Sequence, residues 1–526
     1  MNPSAFMEFL LWLLLAASVV AVVSHRLRLP YTVALVLGGL LLESIHLPIL
    51  TQVLQHRPAW MTPNVALPLF LPPLLFEGSL KLPVRQLREN LVPIGILANL
   101  GVLVSALVVG FALHWVLGMP VLVAMVFGAV IAATDPISVL ATFKHMEVPR
   151  RLATIVEAES LLNDGTAAVL FAILAAGVMS GGLNWLGGIE RFLVVVLGGA
   201  AVGSVFGFAC SKITERIDDP EIEITLTTIV AYGAYLAGES LHVSGVIATV
   251  AGGLWVGAYA TGRGMSPRTR VSLWSFWEYA TFVINSLVFL VIGLEVRIAD
   301  FVHAREAVLI AVGAALLGRI LAVYGLVPIS NRFSRAIPLR WQHILVVGGM
   351  RGALSVALAL SLSLSFPYRS QILVMTFAVV AFTIVVQGLT IKPLLRFLGL
   401  AREEEEEYQR ARGERIAISS AREELNRLYR SHSMSEPVYD QLRKELDARS
   451  DQVRREIAEF YVKDQNRLTE ELRDARIHLI TAEKSGLEQA VHEGLISSPN
   501  ATKMMDEADE QIEEISRQTK EDEDKF

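Results

Sequence analysis

Residues 159–165 read ESLLNDG: Glu159, Ser160, Asn163 and Asp164 stand inside a stretch otherwise apolar enough to span a membrane. An ionisable side chain at the centre of a transmembrane helix costs roughly 2.5 to 3.5 kcal/mol on insertion scales, so a cluster of them marks a functional site by default. The reading fixes two expectations together. The surrounding chain is membrane-embedded, and its polar groups line a path for an ion.

The rest of the chain agrees with that. Of its 526 residues 53% are hydrophobic and the mean hydropathy is +0.48, outside the range of soluble domains, with the apolar residues in blocks rather than stripes. Windows of about 17 to 25 mostly apolar residues fall at 4–25, 31–48, 64–80, 91–117, 120–143, 152–178, 189–213, 222–238, 244–261, 272–296, 304–327, 341–365 and 371–395. One set of alternate loops carries sixteen Lys and Arg and the other five, which places the N-terminus outside and the C-terminus inside and requires an odd number of spans. Thirteen segments satisfy it. The positive residues of the first segment follow the apolar run, which reads as a retained helix rather than a cleaved signal. A single cysteine, Cys210 in segment seven, permits neither an internal disulfide nor a thiolate metal site. The run LGGAAVGSVFGFA in the same segment suits close helix packing, with a dimer contact as its functional reading.

After Leu400 the character changes. Residues 401–526 hold 21 Lys and Arg against 32 Asp and Glu, a net of -11, so the membrane part is +5 by difference from the total of -6. Apolar residues recur there at helical spacing, and SEP (Ser435 to Pro437) and SSP (Ser497 to Pro499) suggest two related helical hairpins. The expected architecture is an all-α polytopic membrane domain, residues 1–400, followed by an acidic helical cytoplasmic tail, residues 401–526.

Depth along a helix, at 1.5 Å per residue, puts Asp164 roughly 18 Å into a core of about 30 Å. Asp135 in segment five, Arg319 in segment eleven and Arg351 in segment twelve reach similar depth. Glu159, Ser160, Asn163 and Asp164 fall within an arc of about 140°, one polar face, with Ala158, Leu161, Leu162 and Ala168 opposite. Segment five is interrupted by Pro136 after Thr134 and Asp135, and segment twelve carries three glycines around Arg351. Irregular backbone at membrane depth is tolerated where it lines a cavity or is buried in protein. Segments five and twelve are each the fifth of a six-segment half, and an offset of seven inverts the halves. Interrupted helices at matching positions of two inverted repeats point to a secondary transporter's binding site. Asp135 and Arg351 are then placed to compensate the exposed half-helix dipoles, and Arg351 with Glu159, or Arg319 with any of the acids, can form a buried ion pair.

ATDP at 133–136, ESLLNDG at 159–165, LPPLLFE at 71–77 and GGMRGALS at 348–355 together resemble the cation/proton antiporter-1 family of sodium/proton exchangers, over roughly residues 5 to 400. The resemblance implies a cation/proton site formed by Asp164, Ser160, Thr134 and Asp135, supported by Asn163, Glu159, Arg351 and Arg319, with Glu159 paired to Arg351 and orienting Asn163. The Asn163-Asp164 pair resembles that of the electroneutral exchangers, which implies one cation per proton. It also implies a homodimer, with core segments 91–178 and 304–395 moving against dimerisation segments 4–80 and 189–296, in the plasma or inner membrane, serving pH and cation homeostasis. The transported species are a proton and sodium, with lithium or potassium as alternatives. Neither enzyme chemistry, cofactor nor nucleic-acid partner is expected. The partners are the bilayer, a second copy, and a regulatory ligand on the tail that the sequence does not identify. A cation channel and a tail-signalling sensor are the competing readings; paired arginines beside acids on inverted halves suit a gated site better than a continuous pore.

Overall fold

Each apolar block folds as helix, because a backbone surrounded by lipid satisfies its N–H and C=O groups only within the segment or in a closed barrel. In the computed structural model the chain is described apart from residues 1–2, 28–29, 45–62, 147, 183–184, 216, 218, 259–264, 266, 296–303, 401–403, 432, 464, 493–494, 498–499, 502, 509–510 and 512–526. Arg28, Arg57, Arg216, Arg263 and Arg297 of the loop count, and Pro499 of the second tail turn, lie outside the described residues. Two compact units result, Met1–Ala401 and Arg402–Phe526.

The first unit is built of α1 (Pro3–Leu27), α2 (Tyr31–Ser44), α3 (Pro63–Lys81), the short α4 (Val84–Glu89), α5 (Leu91–Leu117), α6 (Val121–Ala132), α7 (Ile137–Met146) and α8 (Arg150–Ser180). It continues with α9 (Trp185–Thr214), α10 (Pro220–Ser240), α11 (Gly245–Trp255), α12 (Pro267–Glu295), α13 (Arg305–Ser330), α14 (Leu339–Val347), α15 (Ala353–Ser361) and α16 (Arg369–Phe397). Among the described residues there is no strand, and seven helices are long and apolar enough to cross a membrane. Local chemistry sets several ends. Asp219 caps α10 by accepting from the N–H groups of Glu221 and Ile222, with Pro220 at the first helical position, and Gly118 and Gly181 close α5 and α8 in the left-handed conformation.

The largest apolar core joins α5, α6, α8, α13, α14, α15 and α16. A second core holds α1, α2 and α12 with parts of α15 and α16, and a third holds α3, α9, α10 and α12. The small-residue run of α9 is taken up inside the chain: its glycines lie on α11, where a Cβ on Gly203 would run into the Ala248 carbonyl. Cys210 is buried in the third core. Outward-facing Leu193, Val194, Leu197, Val205 and Phe208 give α9 an exposed apolar surface of the kind that meets lipid. Arg151 ties the start of α8 to its neighbours, donating to Asn90 Oδ1 and to the carbonyls of Arg335 and Ala336 at 2.8–3.0 Å.

The second unit is α17 (Glu404–Arg430), α18 (Glu436–Lys463) and α19 (Gln465–His492). A short turn ending at Ser435, with Glu436 and Pro437 opening α18, joins α17 and α18 as an antiparallel pair, packed through Tyr408, Ala411 and Ile418 against Val453, Ile457 and Phe460. Arg422–Asp447 and Arg449–Glu414 ion pairs lie along its edge.

Candidate functional site

The site is built where two helices stop short. Ala133 leaves the helical conformation at the end of α6 (φ -60°, ψ 137°), and residues 133–136 have no regular secondary structure until α7 starts at Ile137. Pro136 enforces this, having no N–H to continue the helix and disfavouring helical geometry at Asp135. The chain between α14 and α15 has no regular secondary structure over 349–352. The two interruptions meet directly: the Asp135 N–H donates to the Met350 carbonyl at 2.7 Å.

Charge is sorted around this crossing by helix polarity. The C-terminal end of α6 is met by Arg351, whose Nε donates to the Ile131 carbonyl at 2.8 Å. The C-terminal end of α14 is met by Arg319, whose Nε and Nη2 donate to the Leu345 carbonyl at 3.1 and 2.8 Å. Each guanidinium faces the negative end of a half-helix, the favourable sign. Asp135 sits at the positive ends: its Oδ1 accepts from the Ile137 N–H at 3.0 Å, and its carboxylate lies against Gly352 at the start of α15, where any Cβ would overlap it. Gly349 makes the same room for the Arg319 guanidinium. The glycines of segment twelve are there so that two charged groups fit against the backbone.

The expected pairing of Glu159 with Arg351 is not what forms. Arg319 takes Glu159 in a bidentate pair, Nη1 to Oε1 at 2.6 Å and Nη2 to Oε2 at 2.9 Å, both residues buried. Arg351, at 1% exposure, instead donates to the carbonyls of Ile131, Gly349 and Ala315, while its own N–H donates to Thr383 Oγ1 at a widened turn of α16. The reason is that the break frees carbonyls at the end of α6 which need a donor more than Glu159 does, since Arg319 already reaches Glu159 from α13.

The single polar face expected on α8 divides into two. Glu159 and Asn163 form one flank: Asn163 Nδ2 donates to Thr134 Oγ1 at 2.6 Å and its Oδ1 accepts from the Thr134 N–H at 3.3 Å. Nδ2 also lies 3.4 Å from Glu159 Oε1, which supports the orienting role expected of Glu159. Glu157, Ser160, Leu161 and Asp164 form the other flank and line a cavity of about 120 Å³, so Leu161, expected on the packed side, is a cavity wall. Thr134 and Asp135 line it too. Ser160 Oγ donates to the Thr134 carbonyl, so these two expected ligands are joined to each other. Asp164 is different: its Oδ1 is buried and has no hydrogen-bond partner among the described residues.

The cavity also takes in residues outside the expected site, among them Glu77, which the sequence reads as structural or interfacial. Glu77, paired with Lys81 at 2.6 Å, and Glu157 line it, as do Thr281 and Asn285 of α12 and Ser355 of α15. The signal for Asn285 was present, as an amide in the middle of FVINSLVFL, but a lone polar residue in a span gives no direction. Among the described residues no group of three His, Cys, Asp or Glu side chains gathers as for a bound metal ion. One water needs only about 10–15 Å³ of such cavity volume, so the cavity has room for several waters or a partly hydrated small ion.

Residues 13–397 match the family profile described as sodium/hydrogen exchanger, transmembrane. The chain is 37% identical over 500 residues to the Na(+)/H(+) antiporter NhaG of Bacillus atrophaeus, covering 92% of this chain and 93% of that one. It is 38% identical over 401 residues to the Na(+)/H(+) antiporter NhaH of Halobacillus aidingensis, covering 75% of this chain and 98% of that one. In three dimensions it resembles the sodium proton antiporter MjNhaP1 of Methanocaldococcus jannaschii at pH 8, with a TM-score of 0.63 at 21% identity, over 76% of this chain and all of that one. That likeness speaks to the fold.

Proposed function

Because the chain belongs to the sodium/hydrogen exchanger family, we propose that it is an electroneutral antiporter exchanging sodium for protons at one site centred on Asp164. The observation that carries this reading is the Asp164 carboxylate, set in a membrane-embedded cavity with a buried oxygen left without a partner. A buried acceptor in that state costs about 1–3 kcal/mol, and more if charged, until something occupies it. A proton or a hard monovalent cation does so equally well in electrostatic terms.

Loaded with either, Asp164 is neutralised and can be carried across the barrier; the bare carboxylate cannot, because desolvating it is too expensive. Competition for one group then couples the two fluxes and makes them one for one. Asp135, between the half-helix ends, keeps a second acid at the cavity wall, while Asn163, Glu159, Arg319 and Arg351 hold the crossing in place. The moving body would be segments 91–178 and 304–395, alternating against 4–80 and 189–296, in a thirteen-span inverted-repeat fold with the N-terminus outside and the tail in the cytoplasm. In that arrangement the protein works as a homodimer in the plasma or inner membrane, with its tail binding a regulatory ligand, and serves pH and cation homeostasis. The family uses no cofactor; its substrates are ions. The match to NhaH, whose length is almost wholly covered by three-quarters of this chain, supports assigning transport to the membrane unit.

The test is exchange in proteoliposomes with sodium, lithium and potassium under an imposed pH gradient. Wild type should exchange without moving membrane potential, and Asp164→Asn should match empty liposomes. Retained exchange in Asp164→Asn overturns the reading, and large potential-driven currents would turn it into a channel. Potassium in place of sodium would keep the mechanism and change only the ion.

A further inference from the structure

We propose that Asn285 and Thr281, on α12, complete the cation's oxygen shell from the side of the cavity opposite α8; this rests on Asp164 being the ion site. The oxygens expected to bind the ion from the interrupted helix are largely engaged already. Thr134 Oγ1 accepts from Asn163, its carbonyl accepts from Ser160, and Asp135 Oδ1 accepts from the Ile137 N–H. Four residues that line the same cavity each carry a buried side-chain oxygen with no hydrogen-bond partner among the described residues: Asp164 Oδ1, Ser355 Oγ, Thr281 Oγ1 and Asn285 Oδ1. One carboxylate and three neutral oxygens around one small space are a donor set for a hard monovalent cation, which trades its hydration shell for oxygens.

Asn285 is the strongest member. It is 5% exposed, it stands four residues after Thr281 on one face of α12, and α12 packs mainly against α2 and also against α3, α10, α15 and α16, while contributing no residue to the apolar core around α6, α8 and α14. A buried amide oxygen with no partner is a standing cost to folding. An ion shared between Asp164 and Asn285 removes that cost and bridges α8 and α12 while it is bound. Releasing it frees them to move past one another.

Asn285→Leu keeps the branched shape, with larger methyl groups at its two ends, and removes the oxygen. Purified full-length protein would be titrated with sodium chloride at constant ionic strength and its melting temperature followed, alongside exchange in proteoliposomes. The expected result is a sodium-free melting temperature equal to or above wild type, with about tenfold more sodium needed for the same thermal shift and the same exchange rate. Thr281→Val should act in the same direction, and Asn285→Ser, which retains an oxygen, should recover part of the loss. Wild-type sodium dependence in Asn285→Leu, or a lowered sodium-free melting temperature with unchanged sodium affinity, overturns the proposal. If wild type shows Asp164-dependent exchange in the same experiment, such a result removes the α12 ligands and leaves the Asp164 site standing.

Discussion

Glu159 and Asp164 lie five residues apart on one helix, in one buried environment, and have opposite fates. Around Glu159 every charge is answered: Arg319 holds both carboxylate oxygens, and Arg319 itself is held by the Leu345 carbonyl. Asp164, on the wall of a cavity, keeps one buried oxygen without a partner. The difference teaches how to tell scaffold from site when both are ionisable residues at membrane depth. A closed network fixes geometry, and an open valence is where cargo binds.

The comparison breaks most visibly if the two acids are neutralised separately. Asp164→Asn should lose all exchange while keeping or gaining thermal stability, since it removes an unpaired buried carboxylate. Glu159→Gln should do the reverse in emphasis, costing about 3–5 kcal/mol of stability because Arg319 is left buried without its counter-charge. Adding Arg319→Met to Glu159→Gln should recover part of that stability in a thermal melt. No recovery would mean the pair matters for more than charge balance.

A smaller effect tests the crossing. Gly352→Ala places a Cβ into the Asp135 carboxylate, a collision worth about 1–3 kcal/mol. The shift should appear as a raised KM for the cation in exchange assays, with a fold-level melt nearly intact, because the displaced group belongs to the cavity wall. Smallest of all should be removal of residues 402–526. Asp164-dependent exchange should persist in the shortened chain, with changes confined to its regulation; loss of all flux from a correctly folded membrane unit would contradict the division of labour.

Both interruptions were legible in the sequence because their causes are local: Pro136 withdraws an N–H, and the glycines around Arg351 advertise close approach. The polar cluster on α8 was legible for the same reason, as was the helix break at Ser435, where Pro437 falls in the first turn of α18. The partner of Glu159 was not. Helical spacing gives the direction of a side chain from its own axis, but two arginines at similar depth leave the choice between them to how α13 and α14 pack. Leu161 and Ser160 were separated wrongly for a related reason, since a cavity is defined by several helices and the arc of one does not show its edges. Asn285 and Thr281 were hidden by their ordinariness: single polar residues in a span acquire meaning only when nothing nearby pairs with them.

The central claim is that proton and cation compete for the same carboxylate. Its most direct measurement is the sodium dependence of exchange in proteoliposomes at a series of pH values, with membrane potential clamped. Competition predicts that acidification raises the apparent KM for sodium, approaching about tenfold per pH unit once the protonated form dominates, while the maximal rate at saturating sodium is unchanged. A maximal rate that falls on acidification at constant KM would contradict it, because that pattern places the proton on a separate group.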